Sequence, residues 1–519
     1  MEIGDISPVI GADLYFMINV RCSEENFIYD IHSLVKAFYP SEEVKVVTEK
    51  NVESLEIGQG RDDADADADL FISLQKDRIE ITSYLMNESK MGGISSKDLL
   101  DKESASATSL VSENKNVEAN PADYIDKVSE NSREVINCLR FADYFNRSEY
   151  KNELKLGLYE VLSKATGKEL PWGTLTGIRP TKIAKNLIDM GKSDAEALAY
   201  MKEVYNCSTE KANLSVDIAH YENEILENID YEKGYSLYIG IPFCPSTCMY
   251  CSFTSYPIAK YRNKVGDYIN ALKKEIDYVA VDFADKNLDT LYIGGGTPTT
   301  LTGEELRELI GYLQSKLDLS KIKEFTVEAG RADSITRDKL EVLLEMGVTR
   351  ISVNPQTMNE DTLKLIGRHA TAAETVEIYK LAREIGFDNI NMDLIVGLPG
   401  ESIEDVKDTL NKVCELNPDS LTVHSLAIKR ASKLAQIIDE MGYEEINNTD
   451  ETMDLTGTRA KEMEMKPYYL YRQKNMSGNF ENVGYAKEGK AGIYNILIME
   501  EVQSIVALGA GTVTKRVYN

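Results

Sequence analysis

From residue 235 to about residue 430 the chain repeats one rhythm of apolar run, loop and helical stretch. The apolar runs are Ser236–Ile241, Asp289–Ile293, Glu324–Ala329, Val348–Val353, Asn389–Val396 and Ser420–Leu426. A strand followed by a helix returns to the same edge of the sheet, so strands joined this way pair in parallel and the helices cover them. The pattern therefore predicts an α/β fold in which six such units make an open or partial (β/α)6 barrel. In folds of this kind the chemistry sits at the C-terminal ends of the strands.

The flanks read differently. Residues 1–85 are expected to form a small α+β module, with a strand over Leu14–Val20, helical spacing from Asn26 to Tyr39, and a hairpin from Leu70–Leu74 and Arg78–Tyr84. The alternating Asp-Ala run from Arg61 to Asp69 lacks the glycine turn and closing Glu of a calcium loop and reads as a solvated loop. Residues 86–124 are polar and poor in large apolar side chains, as in a linker. Residues 125–234 read as mainly helical, interrupted at Leu170–Pro180, where Pro180 can open the next helix. Trp172 reads as a packing residue, and with Arg179 as a lesser candidate for a substrate wall. Residues 431–519 are expected to cover the barrel mouth, and chains of this kind are expected to continue past Asn519.

Charge excludes some functions. A formal charge of −28 over 519 residues disfavours a nucleic-acid binder, which must neutralise phosphate, and disfavours docking on an anionic membrane. The N-terminus lacks the basic and apolar regions of a signal peptide, and no apolar run reaches the ~18 residues of a membrane helix. The expected location is the cytoplasm. There seven cysteines point to a metal or cluster site rather than to disulfides.

Three of those cysteines, Cys244, Cys248 and Cys251, stand in Ile241-Pro242-Phe243-Cys244-Pro245-Ser246-Thr247-Cys248-Met249-Tyr250-Cys251, just past the first barrel strand. C-x3-C-x2-C places three thiolates on one tight loop, each able to bind one iron of a cubane cluster and leaving the fourth iron open. Zinc prefers four ligands, usually as two separated pairs. Cys22, Cys138, Cys207 and Cys414 provide no matching pair, although His424 could serve as a distant fourth ligand. The next strand ends show polar or bare-backbone positions: Gly294-Gly295-Gly296-Thr297-Pro298, then Glu328, then Gln356 with Arg368, then Asp393. Glycines let the backbone approach a ligand closely. Asp393 lies among apolar neighbours and needs a partner, for which Arg368 or a ligand would serve.

The cysteine loop, with the aromatic Tyr250 before its last cysteine, resembles the radical S-adenosylmethionine (SAM) superfamily. The residues from 235 to 430 are similar to the oxygen-independent coproporphyrinogen III oxidase (dehydrogenase) family within it. The resemblance implies a [4Fe–4S] cluster on Cys244, Cys248 and Cys251, whose open iron binds the amino and carboxylate groups of SAM. Reduction then yields methionine and a 5′-deoxyadenosyl radical that abstracts hydrogen from the substrate. Tyr238, Tyr250, Gly295, Gly296, Thr297, Glu328, Gln356, Arg368, Asp393 and Ala427 match SAM-contacting positions of that family, Ala427 through its backbone. The implied activity is oxidative decarboxylation of two propionates of coproporphyrinogen III to give protoporphyrinogen IX, in heme biosynthesis, with an electron donor such as flavodoxin or ferredoxin. Lys429, Arg430, Arg472 and Lys474 are candidate cations for the propionates, and Tyr468, Tyr469 and Tyr471 candidate stacking residues. Phe253 stands where the oxidases place a further cysteine and resembles heme-chaperone relatives; Gly240 stands where they usually have His. A heme-binding chaperone, with His369 or His424 as heme ligands, and a radical SAM methyltransferase acting on heme are the alternatives.

Overall fold

The computed structural model describes residues 17–40, 42–48, 69–85, 135–177, 179–428, 432–434, 448–472 and 480–517. The linker expected at 86–124, residues 14–16 and 61–68, and Lys429, Arg430 and Lys474 lie outside the described residues. Two compact units form: Met1–Thr176 with Lys202–Ser208, and Gly177–Met201 with Thr209–Asn519.

The first unit is a five-stranded sheet of β1 (Met17–Cys22), β2 (Glu43–Thr48), β3 (Leu70–Leu74), β4 (Arg78–Ser83) and β5 (Ile136–Phe141), in the order β2-β1-β3-β4-β5. β3 and β4 make the expected hairpin, antiparallel from Leu70↔Ser83 to Leu74↔Ile79. Their period-two alternation turns Leu70, Ile72, Ile79 and Ile81 into a core shared with Leu34 and Phe38 of helix Ile28–Phe38 and with Leu154, Leu158 and Leu162 of helix Arg147–Thr166. Each such side chain contributes roughly 1.5–3 kcal/mol by leaving water. Within the stretch expected to be mainly helical lies β5, which pairs antiparallel with β4. Leu139 and Phe141 of β5 face solvent while Arg140 faces helix Arg147–Thr166, pairing with Glu160. The inverted alternation hides the strand from a hydrophobicity reading. Residues from both sides of 86–124 therefore share one core. Trp172 is fully buried in this unit.

The second unit carries a nine-stranded sheet. After β6 (Gly234–Ile241) come the two-residue strands β7 (Phe243–Cys244) and β8 (Tyr256–Pro257), which pair only with each other. Then follow β9 (Asn287–Gly295), β10 (Glu324–Gly330), β11 (Arg350–Val353), β12 (Ile390–Val396), β13 (Ser420–Ser425), β14 (Lys466–Tyr471), β15 (Asn482–Ala486) and β16 (Ser504–Leu508). The order is β14-β15-β13-β12-β11-β10-β9-β6-β16. The run from β16 through β6 to β13 is parallel, and β15 and β14 extend it antiparallel. Among the described residues the sheet is not closed, β14 and β16 being its end strands, as in a partial barrel. All six expected strands are present. Among the described residues of 431–519, β14 and β15 extend the sheet at one edge and β16 at the other.

Three helices that follow barrel loops start with capping boxes, at Thr302 with Glu305, Thr371 with Glu374 and Ser402 with Asp405. Each side-chain pair satisfies orphan N–H groups where chain leaves loop for helix, and so fixes the loop ends beside the site. Arg179 is tied to Met499 O and Glu501, just before β16. That is the N-terminal edge of the parallel strands, opposite the cysteine loop, so Arg179 is not a substrate wall. Among the described residues no helix is long and apolar enough to cross a membrane.

Candidate functional site

Parallel pairing brings the ends of β6, β9, β10, β11, β12 and β13 to one edge, and nearly all the candidate residues lie along it. The cysteine loop leaves β6 and is pinned from three sides. Gly296 N donates to Ile241 O at 2.7 Å, Thr297 N to Phe243 O at 2.7 Å, and Met249 N to Ile366 O at 3.0 Å. Cys244 and Cys248 are buried and Cys251 half-buried, all as free thiols. Thr297 Oγ1 donates to Cys244 Sγ at 3.6 Å, and Arg331 Nη1 to Cys248 Sγ at 3.6 Å. Burial pushes the Cys244 and Cys251 thiols up. A Cβ on Gly296 would stand 2.7 Å from Phe243 O and 2.9 Å from Cys244 Sγ, so only glycine lets β9 close against the cysteine segment.

The second layer lies in the lumen. Tyr292 OH donates to Glu328 Oε1 at 2.6 Å, and the Gly295 N–H also points to this carboxylate. Burial pushes the Glu328 carboxyl up to about 7, the hydrogen bond from Tyr292 opposing and Asp393 adding to the rise. A Cβ on Gly294 would meet Glu328 Cδ at 2.9 Å, which explains a second glycine here. Tyr238 stacks on Tyr292 and on Tyr494, with ring centroids 5.9 and 6.0 Å apart, and burial raises its hydroxyl.

Gln356 is held with φ at +69°. Its N–H donates to Asp393 O and its carbonyl accepts from Ile395 N, both at 2.9 Å. That bridge stitches β11's end to β12 and leaves Gln356 Oε1 buried with no partner. Of the two partners open to Asp393, Arg368 or a ligand, Arg368 turns elsewhere. Its Nη1 donates to Asn354 O and its Nη2 to Tyr250 OH, the latter at 3.2 Å, while Asp393 Oδ1 accepts from Asn391 Nδ2 at 2.6 Å. The turn that ends helix Glu360–Leu365 carries Arg368 toward the cysteine loop, where it also meets Cys248. Its Nε is buried without a partner. Ala427 is half-buried two residues past β13. His369 is exposed, whereas His424 lines the lumen, its ring lowered by burial and raised by Asp393 and Asn482.

Four site residues escaped the sequence reading: Tyr292, Arg331, Arg350 and Tyr494. Tyr292 is the register partner of Tyr238, a signal visible only once the strands are aligned. Arg331 follows the strand-end glycine Gly330 and sits buried on Ser246 and Asp333. Arg350 is fully buried and donates to Ser420 Oγ at 3.0 Å.

The Radical SAM superfamily description matches residues 238–413. The oxygen-independent coproporphyrinogen-III oxidase-like protein HemZ of Bacillus subtilis is 42% identical over 371 residues, covering 71% of this chain and 74% of that protein. The chain belongs to the radical SAM superfamily, in this HemZ-like family. The heme chaperone HemW of Bacillus subtilis is 38% identical over 195 residues, 37% of this chain and 51% of that protein. The oxygen-independent coproporphyrinogen III oxidase of Escherichia coli is 34% identical over 196 residues, 38% of this chain and 42% of that protein. The solved structure of the Escherichia coli oxidase aligns with a TM-score of 0.45 at 24% identity, over 59% of this chain and 67% of that one.

As a radical SAM protein the chain works with a [4Fe–4S] cluster and SAM. Its residues fit both. Three free thiols lie on one loop, flanked by the guanidinium groups of Arg331 and Arg368, which offset thiolate charge. The unpartnered Gln356 Oε1 and Arg368 Nε are buried polar atoms that a ligand would satisfy. Among the described residues no three His, Cys, Asp or Glu converge as on a single metal ion; thiolates of a cubane each bind a separate iron and need not converge.

Proposed function

We propose that this chain is a cytoplasmic radical SAM oxidoreductase that decarboxylates two propionate side chains of coproporphyrinogen III, yielding protoporphyrinogen IX without oxygen. The similarity to the HemZ protein carries this reading, because it runs over 371 residues and so reaches well beyond the barrel core. When bound, the cluster and SAM supply the one-electron chemistry that removes a hydrogen atom from a propionate β-carbon.

In this reading Cys244, Cys248 and Cys251 hold the cluster. The N–H and C=O groups around Gly295, Gly296 and Ala427 receive the polar end of SAM. Glu328 accepts from its ribose or ammonium, with Tyr292 orienting the carboxylate. Gln356 and Arg368 offer the buried Oε1 and Nε atoms, and Thr297 and Tyr250 brace the cysteines. Asp393 and His424 face the lumen, where the carboxylate can accept from, and the imidazole can donate to, a bound ligand. Tyr238 walls the nucleoside side.

A second reading is favoured by one residue. Phe253 stands where the oxidases have a cysteine, and the heme chaperone of Bacillus subtilis matches at 38% over the barrel. In that reading the chain binds heme, with His424 as a ligand, and does not consume the tetrapyrrole.

The test is anaerobic turnover of the reconstituted protein with SAM, a reductant and coproporphyrinogen III, followed by mass spectrometry. Loss of two CO2 units coupled to 5′-deoxyadenosine, and abolished by Cys248→Ala, is the expected result. SAM cleavage with unchanged porphyrinogen and stoichiometric heme binding would favour the chaperone instead, and methylated heme would make the chain a methyltransferase.

A further inference from the structure

We propose that the exposed face of residues 253–264, beside the cysteine loop, docks a small acidic one-electron carrier protein of the flavodoxin type. The inference rests on the cluster reading above and names where the reducing electron enters.

Position is the first argument. Phe253 is two residues past Cys251, and its N–H points to the Cys251 thiol. The chain then turns back so that Tyr256 N donates to Pro242 O at 2.7 Å, and β8 pairs with β7 with Cys244 opposite Pro257. The segment thus lies directly against two of the three cysteines, Cys244 by strand pairing and Cys251 by the Phe253 N–H.

Exposure is the second. Phe253 is 74% exposed, Tyr256 40% and Tyr261 38%, with the two tyrosine rings 5.0 Å apart. A lone exposed ring is ordinary; three on one twelve-residue stretch make a patch of the aromatic composition that protein interfaces favour.

Charge selects the partner. Residues 252–266 hold Lys260, Arg262 and Lys264 and no carboxylate, in a chain whose net charge is −28. Arg262 leans on Glu305 and Lys264 approaches Asp267 at 3.5 Å, while Lys260 makes no ion pair among the described residues. An acidic carrier is repelled by the chain's overall charge, and a segment with Lys260 unpaired among the described residues and no carboxylate of its own lowers that repulsion beside the cysteines, which orients the carrier toward them. In the transfer no bond forms or breaks: the carrier is oxidised by one electron and the cluster is reduced by one.

Lys260→Glu/Lys264→Glu reverses two exposed charges without touching the core. Two readouts decide the matter, both on the reconstituted protein. Calorimetric binding of flavodoxin at low ionic strength should weaken by about tenfold or more, the difference from the parent shrinking as salt is added. The flavodoxin-driven rate of SAM cleavage should fall in parallel, while the dithionite-driven rate, which needs no docking, stays at the parent value. Lys260→Arg/Lys264→Arg should restore both. Unchanged flavodoxin binding and flavodoxin-driven cleavage in the reversed variant would overturn the docking site alone. Absence of dithionite-driven SAM cleavage in the parent protein would overturn the cluster reading and the docking site with it.

Discussion

Glu328 shows how one carboxyl ties pH to ligand binding. It is an acid held above its ordinary value, at about 7, because burial penalises the charged form more than the Tyr292 hydroxyl repays. The sign follows from that. The protonated form is favoured in the folded chain, so without ligand the stability that this group contributes is present below its ordinary carboxylate range and is lost as pH rises through about 7. SAM brings cationic groups, and against Glu328 they favour the carboxylate. SAM affinity should therefore strengthen as pH rises toward 7, by up to about tenfold per unit, and level off above it. Glu328→Gln should bind SAM weakly with no such slope. Titration calorimetry across pH 5.5–8.5 checks this, and a slope that survives in Glu328→Gln would remove Glu328 from contact with the ligand. The residues around it were unequally legible in the sequence. Cysteine spacing and strand-end glycines state their chemistry locally, whereas Tyr292 and Arg331 acquire theirs only from neighbours 36 and 83 residues away. Asp393 reads from its apolar neighbours as a carboxylate in need of a partner; that Asn391 serves while Arg368 turns to Asn354 and Tyr250 is set by tertiary placement that no local pattern encodes.

Among the elements, the helix Ile493–Glu500 depends on a single distant side chain. Its N-cap, Gly492, has no side chain to cap with. Glu324, at the start of β10, reaches over instead and accepts from Ile493 N and Tyr494 N. A negative charge on the first-turn N–H groups satisfies orphan donors and opposes the positive end of the helix dipole. The same contact places Tyr494 in the stack with Tyr292, at 4.5 Å between centroids. Glu324→Ala would leave buried N–H groups unpaired, and it should lower the unfolding free energy by about 1–3 kcal/mol in a denaturant melt. It should also loosen the tyrosine stack beside Glu328, so near-ultraviolet dichroism should weaken at tyrosine wavelengths. An unchanged melt would mean that water replaces the carboxylate. This scale also divides what sequence can tell from what it cannot. The six barrel strands carry a fully buried apolar set, such as Leu237 and Ile239, Leu291 and Ile293, Phe325 and Val327, Leu421 and Val423, alternating with the polar residues of the lumen, and that recurring apolar set is what a sequence window detects. β5 lies at an edge with Leu139 and Phe141 outward, and β14–β16 join the barrel from the far end of the chain. Their place is set by pairings that no local pattern encodes.

For the whole molecule, the excess of carboxylates acts as a field on everything that approaches. Coproporphyrinogen III, the substrate proposed above, carries its propionates as anions, and SAM carries cationic groups, so the same −28 should slow one encounter and assist the other. The screening length is ~30 Å at 0.01 M salt and ~8 Å at 0.15 M. At low salt the entire surface is felt by an incoming porphyrinogen; at physiological salt only the groups nearest the mouth count. Raising potassium chloride over that range should therefore increase kcat/KM for coproporphyrinogen III while kcat stays level, since screening changes the approach and not the bound state. SAM affinity should move the opposite way. The reversed pattern, with kcat/KM falling as salt rises, would mean that local cations at the mouth outweigh the global charge and capture the propionates, as residues 260–264 are argued to capture an acidic carrier at the cysteine edge. The two entrances can be told apart by the same salt series at ~0.15 M, where only nearby charges count: Lys260→Glu/Lys264→Glu should still weaken the carrier's binding there and leave the porphyrinogen's kcat/KM close to the parent value.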